Sequence, residues 1–158
     1  MDLKRFLSVI ALGFGSGLSP IAPGTVGSAL AATIYYFFIS DSVNNFLGIS
    51  LFLLFIVVSF FIGVFVYSQT ADEEDPKSFV WDEFVGMWVA CIPLSLFQVG
   101  LVCWLVAAFI LFRIFDIWKP WMIKTYDNKS GAFYVMIDDV LAGLFTAIFI
   151  SLSFLLIS

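Results

Sequence analysis

Two pairs of adjacent carboxylates, Asp82–Glu83 and Asp138–Asp139, are each followed within four positions by a glycine, Gly86 or Gly143. Carboxylates are costly to take out of water and are normally paired or bound to a cation. Small residues allow two helices to approach closely. Two such helices could therefore aim two to four carboxylates at one point. An all-oxygen donor set without His or Cys suits Mg²⁺, with Mn²⁺ or Ca²⁺ as alternatives. Adjacent residues lie about 100° apart on a helix, so one member of a pair can bind a metal while the other supports it. Complementing a helix dipole is the plainer role for each pair alone. It does not account for two pairs at one end of the protein.

Arg113, Asp116 and Lys119 form the second group. They are spaced three apart, so they are neighbours along one helix surface. Pro120 should end that helix near Lys119. Arg113, with its fork, and Lys119, as a point charge, could clamp a phosphate. Snorkelling bases beside the interfacial Trp118 and Trp121 are the alternative. Asp116 between the two bases argues against simple lipid anchoring.

A Gly/Ser/Thr-rich run from Gly13 to Ser28 is the third group. Backbone N–H groups around Gly24 at a helix start, with the Thr25 and Ser28 hydroxyls, could cradle an anion. The run lacks the Gly-Lys-Ser/Thr of a Walker loop. Asp72-Glu73-Glu74-Asp75-Pro76-Lys77 reads as a solvated loop, with one carboxylate as a lesser candidate for the metal site. The chain has no histidine. That removes imidazole bases and His-ligated metals. Cys91 and Cys103 lie in apolar stretches, lack a Cys-x5-Arg loop and read as inert thiols.

The elements that carry these groups are set by composition. Of 158 residues, 62% are hydrophobic, 12% are charged and 20 are Phe, and the mean hydropathy is +1.08. A chain this small cannot hide so much apolar surface in a core of its own. The composition excludes a soluble monomer, a disordered chain and a disulfide scaffold, and points to lipid as the solvent. The charges cluster: residues 69–83 carry seven and residues 113–139 carry eight of the 19.

We expect a single all-α integral membrane domain over 1–158, with about five crossings. Phe46–Ser68 is uncharged and long enough to span. Val26–Ser40 should be a shorter crossing, preceded by an interfacial or re-entrant segment and not by a cleaved signal peptide. Phe84–Phe112 is interrupted by Pro93, Gln98 and Gly100. It should fold back as a short hairpin whose arms extend into the charged flanks. The last helix should run from Ala132 or Met136 to Ile157. With the N-terminus inside, all seven bases then fall on the cytoplasmic side. The same rim gathers both charge clusters. Metal carboxylates, a basic clamp and an anion loop at a lipid–water boundary describe phosphoryl chemistry on a lipid headgroup.

Pro23-Gly24-Thr25-Val26-Gly27-Ser28, Asp82-Glu83-Phe84-Val85-Gly86, Arg113-Ile114-Phe115-Asp116-Ile117-Trp118-Lys119-Pro120 and Ile137-Asp138-Asp139-Val140-Leu141-Ala142-Gly143 occur in that order. In motif, order and spacing the chain resembles the phosphatidylglycerophosphatase A family from about residue 8 to 155. The resemblance implies Mg²⁺-dependent removal of the terminal phosphate of phosphatidylglycerophosphate, giving phosphatidylglycerol, at the bacterial inner membrane with the site facing the cytoplasm. It implies a site of Asp82, Glu83, Arg113, Asp116, Lys119, Asp138 and Asp139, with Thr25 nearby. Which acid is ligand and which is base stays open, as do the metal count and the oligomeric state. The bilayer and its phospholipid are the expected partners, and nucleic acid is not. The rival is a small cation transporter using the same carboxylates, which would need them mid-membrane.

Overall fold

The computed structural model describes residues 3–70, 77–97, 100–120, 123 and 130–157. Among these the chain is helical, with no strand. A short helix, α1 (Leu3–Ala11), leads through a 3₁₀ turn (Gly13–Leu18) to α2 (Pro23–Ile34), which continues through a π turn (Tyr35–Ile39). Next come α3 (Phe46–Thr70), α4 (Trp81–Ala90), α5 (Ile92–Phe97), α6 (Leu101–Trp118) and α7 (Ala132–Ile157).

Local chemistry sets the boundaries. Pro23 opens α2, where its missing N–H costs nothing. Pro93 likewise occupies the second position of α5, so it does not make the turn expected of it. The break lies at Cys91, and the reversal lies between Phe97 and Leu101, where Gly100 is left-handed at φ 59°. Gln98, expected to cap that turn, falls outside the described residues. The hairpin is nonetheless present, and its arms do extend into the charged flanks: α4 starts at Trp81 and α6 ends at Trp118. Lys119 closes α6 in a left-handed conformation, φ 45°, with its N–H on the Phe115 carbonyl. Pro120 disfavours a further helical turn there.

The short α4 is the centre of the bundle. All its residues are buried except the half-buried Glu83. It packs on α2, α3, α6 and, most extensively, α7. Gly86 and Gly143 make that last contact possible. A methyl added at Gly86 would stand 2.6 Å from the Asp139 carbonyl oxygen, and one at Gly143 would strike the Gly86 carbonyl. The two glycines after the two acid pairs thus face each other across one crossing, as their spacing suggested. Two indole N–H groups fix α4 to its other neighbours: Trp81 donates to the Ser59 carbonyl of α3, Trp88 to the Ala31 carbonyl of α2.

The outward faces are apolar. Leu51, Leu54 and Phe61 on α3, Val102 and Val106 on α6, and Leu152 and Leu155 on α7 are all exposed. Among the described residues three helices, α3, α6 and α7, are long and apolar enough to cross a membrane. The two further crossings expected from the sequence fall on α2 with its π turn and on the broken α4–α5 arm, whose helices are shorter than these three, so the count of five does not follow from helix length.

Candidate active site

The first turns of α2 and α4, the last turn of α6 and the early turns of α7 meet at one end of the bundle. There they enclose a cavity of about 570 Å³. Gly24, Asp82, Glu83, Arg113, Asp116, Lys119, Asp138 and Asp139 line it together. The hairpin explains why: it returns the C-terminus of α6 to the level at which α4 begins. A single long helix over 84–112 would have parted these groups by the thickness of a bilayer.

Asp82 and Glu83 occupy the first turn of α4. Asp138 and Asp139 lie deeper than the helix entrance, about two turns into α7, because α7 begins at Ala132. Asp82, Glu83 and Asp139 each place a carboxylate oxygen so that all three lie within 4.8 Å of one another. Asp82 and Asp139 are almost fully buried, at 8% and 4% exposure. Three like charges at that spacing repel strongly in a place water barely reaches.

Asp138 points elsewhere: its Oδ2 accepts a hydrogen bond from Lys119 Nζ at 2.8 Å. The two members of the second pair thus divide, one facing the carboxylate trio and one holding a base. Asp116 plays the corresponding part for Arg113, with Nη1 2.9 Å from its Oδ2. Arg113 Nη1 also donates to Ser28 Oγ at 3.2 Å, and Ser28 in turn donates to the Gly24 carbonyl at 2.7 Å. The two bases that the sequence suggests for a phosphate, Arg113 and Lys119, are each oriented by a carboxylate of their own. Asp116 also lies within electrostatic reach of Asp139.

Of the anion loop, Gly24 lines the cavity, whereas Thr25 and Ser28 are not among its described lining residues. Ser28 reaches the site through Arg113. Gly24 has a steric role: a methyl there would collide with Glu83 Oε1 and stand 3.4 Å from Arg113 Nη1. Only glycine lets the start of α2 close on the Glu83 carboxylate. The run 72–75, Trp121 and the charges Lys124, Asp127 and Lys129 fall outside the described residues.

Lys77, which the sequence places in the solvated loop, also lines the cavity, as do Tyr67, Ser130 and Tyr134, which are not candidates from the sequence. Lys77 carries a signal in the sequence, as the one base in residues 69–83. The tyrosines carry no local signal, since aromatic residues are frequent throughout. Among the described lining residues the bases are Lys77, Arg113 and Lys119 and the acids are Asp82, Glu83, Asp116, Asp138 and Asp139. Acids thus outnumber bases five to three among the described lining residues. One observation bears directly on a bound cation: Glu83 Oε2 is buried without a hydrogen-bond partner among the described residues. A buried carboxylate oxygen is rarely left so. The orphan oxygen and the all-oxygen trio fit Mg²⁺.

Residues 9–154 match the protein family described as Phosphatidylglycerophosphatase A. A protein of Escherichia coli strain K12 named phosphatidylglycerophosphatase A is 42% identical over 145 residues, 88% of this chain and 78% of that one. One of Haemophilus influenzae with the same name is 41% identical, over 94% and 88% of the two chains. A Bacteroides thetaiotaomicron protein named as a candidate phosphatidylinositol-3-phosphatase is 38% identical over 97% of each chain. No solved structure gives a significant match.

Proposed function

Because the chain belongs to the phosphatidylglycerophosphatase A family, we propose that its acidic cavity hydrolyses the terminal phosphate of phosphatidylglycerophosphate at the cytoplasmic face of a bacterial inner membrane. The observation that carries this reading is the convergence of Asp82, Glu83 and Asp139 beside Arg113 and Lys119. A phosphatase needs positive charge for the phosphoryl oxygens and a group that takes a proton from water. Both are present at one end of the bundle.

Asp82, Glu83 and Asp139 would hold Mg²⁺, with Asp138 beside them on Lys119. When bound, that ion supplies Lewis-acid polarisation of the phosphoryl group and helps activate water. Arg113 binds the phosphoryl oxygens, and its guanidinium is held in place by Asp116 and Ser28. Lys119, oriented by Asp138, adds a second positive charge. The α2 N-terminus, open at Gly24, contributes the positive end of its dipole. A carboxylate of the group accepts a proton from the attacking water as the water oxygen bonds to phosphorus; the bond between phosphorus and the terminal glycerol oxygen breaks, and that oxygen takes up the proton, giving phosphatidylglycerol and inorganic phosphate. Because Arg113 and Lys119 are positioned before substrate arrives, their stabilisation costs little reorganisation.

The transporter alternative requires acids along a path through the membrane. Here the cavity's acids meet at one end of the bundle, near the starts of α4 and α7 and the end of α6. The name of the Bacteroides relative supplies a competing substrate, phosphatidylinositol 3-phosphate. The test is inorganic phosphate release by purified protein from phosphatidylglycerophosphate, phosphatidylinositol 3-phosphate and phosphatidic acid. Preference for the first is expected. Preference for the second keeps the phosphatase and reassigns the lipid. No release from any would end the enzymatic reading.

A further inference from the structure

Outside the acidic cavity, an apolar groove of about 440 Å³ lies between α2 and α6. Ala29, Ala32 and Tyr36 form its α2 side and Leu105, Val106 and Phe109 its α6 side. The one threonine in its wall, Thr33, returns its hydroxyl to the Ala29 carbonyl at 2.8 Å, so it offers no free donor. We propose that this groove seats one fatty acyl chain of the same lipid molecule whose phosphate enters the acidic cavity. The inference rests on the lipid-phosphatase reading and adds a second binding site to it.

The groove is continuous with the site. Ala29 directly follows Ser28, whose Oγ accepts from Arg113, and Phe109 lies one turn before Arg113. The wall that holds the clamp is thus the upper end of the groove. From Arg113 the groove runs along α6 from Phe109 to Val102, or from ~6 to ~17 Å at 1.5 Å per residue. One leaflet of a bilayer core is about 15 Å deep. A chain whose headgroup is at Arg113 would therefore lie in the groove for most of its length. The lining suits methylenes: small alanines leave the space, and Tyr36 and Phe109 flank it. Any exposed apolar face touches lipid. This one begins where the reacting phosphate is held, which ties its occupant to the substrate.

Seating a chain fixes the headgroup relative to Arg113 and the carboxylates, and such positioning can be worth one or two orders of magnitude in rate. The experiment compares long-chain phosphatidylglycerophosphate with its deacylated, water-soluble headgroup. Ala29→Phe fills the upper groove from α2 and Val106→Phe fills it from α6. Both positions are exposed, so folding should survive. Each is expected to lower kcat/KM for the long-chain lipid about tenfold and to leave the headgroup within about twofold. Val58→Phe, on the exposed face of α3, should change neither. In parallel, phosphatidylglycerophosphate and phosphatidylcholine carrying a photoreactive acyl chain are crosslinked to the unaltered protein. The first should label α2 and α6 preferentially, and unlabelled phosphatidylglycerophosphate should compete. Equal losses on both substrates, no loss on either, or the same labelling pattern from both lipids would overturn the acyl seat. Equal patterns would mean bulk lipid fills the groove. If unaltered protein turns over neither substrate, the phosphatase reading itself fails, a result distinct from all of these.

Discussion

Asp82, Glu83 and Asp139 keep three carboxylate oxygens within 4.8 Å, and among the described residues Glu83 Oε2 is left without a hydrogen-bond partner. The like charges repel unless something positive sits among them. Asp139→Asn and Asp82→Asn should each lower kcat about a hundredfold or more, with expression and folding retained. Near-normal turnover in a steady-state assay would place the chemistry elsewhere. Gly24 gives a sharper test, because its neighbour Glu83 Oε1 is the free end of a side chain and can give way. Gly24→Ala should leave the melting temperature nearly unchanged, yet cost about tenfold in activity by pushing Glu83 out of the trio. A large fall in melting temperature instead would mean that Gly24 serves packing. At this scale the sequence shows the acid pairs and the two bases through their types and spacing. It does not show which member of a pair faces which partner. The Asp138–Lys119 ion pair depends on where α6 stops and how α7 is rotated against it. The Gly24–Glu83 contact joins residues 59 positions apart, and nothing local announces it.

The α4–α7 crossing is the element on which the site depends, because it sets the distance between Asp82–Glu83 and Asp139. Gly86 and Gly143 let the two backbones touch there. Gly143→Leu must displace the Gly86 carbonyl, which is backbone and cannot swing aside. It should destabilise the protein by roughly 1–3 kcal/mol as an overpacked contact, seen as a lower thermal midpoint in detergent, and should abolish activity with it. An unchanged midpoint would contradict the close crossing. This crossing is legible in the sequence because both glycines follow the acids at helical spacing. The hairpin is legible in outline, from the length of the uncharged stretch and its breakers. Its turn is not: Pro93 is tolerated in the first turn of α5, and the reversal falls beside Gly100. A proline near a helix start and one at a turn look the same in sequence.

The molecule as a whole gathers three bases and five acids in one cavity at one end and turns apolar side chains outward. In the sequence, the charge count alone excludes a soluble monomer, while the positions of the charges indicate one functional rim. Lys77, Arg113 and Lys119 do line one cavity. Single cysteines placed near Lys77 and Lys119, in a background lacking Cys91 and Cys103, should both react with a reagent confined to the cytoplasmic side. A cysteine near Asn44 should react from the other side. Labelling of the Lys77 and Lys119 positions from opposite faces would contradict the topology. The number of crossings is harder to read from sequence, because α2 and the α4–α5 arm are short, broken and sheltered by the longer helices. Their hydropathy does not distinguish a crossing from a buried core helix. The central claim is that a divalent cation held by Asp82, Glu83 and Asp139 works with Arg113 and Lys119 on a lipid phosphate. It is tested most directly by phosphate release from phosphatidylglycerophosphate, measured with Mg²⁺, with EDTA and with Mg²⁺ restored, for unaltered protein and for Asp139→Asn. The account predicts release that EDTA stops and Mg²⁺ restores in the unaltered protein, and none under any condition in the variant. Release that persists in EDTA, or that survives Asp139→Asn, would contradict it.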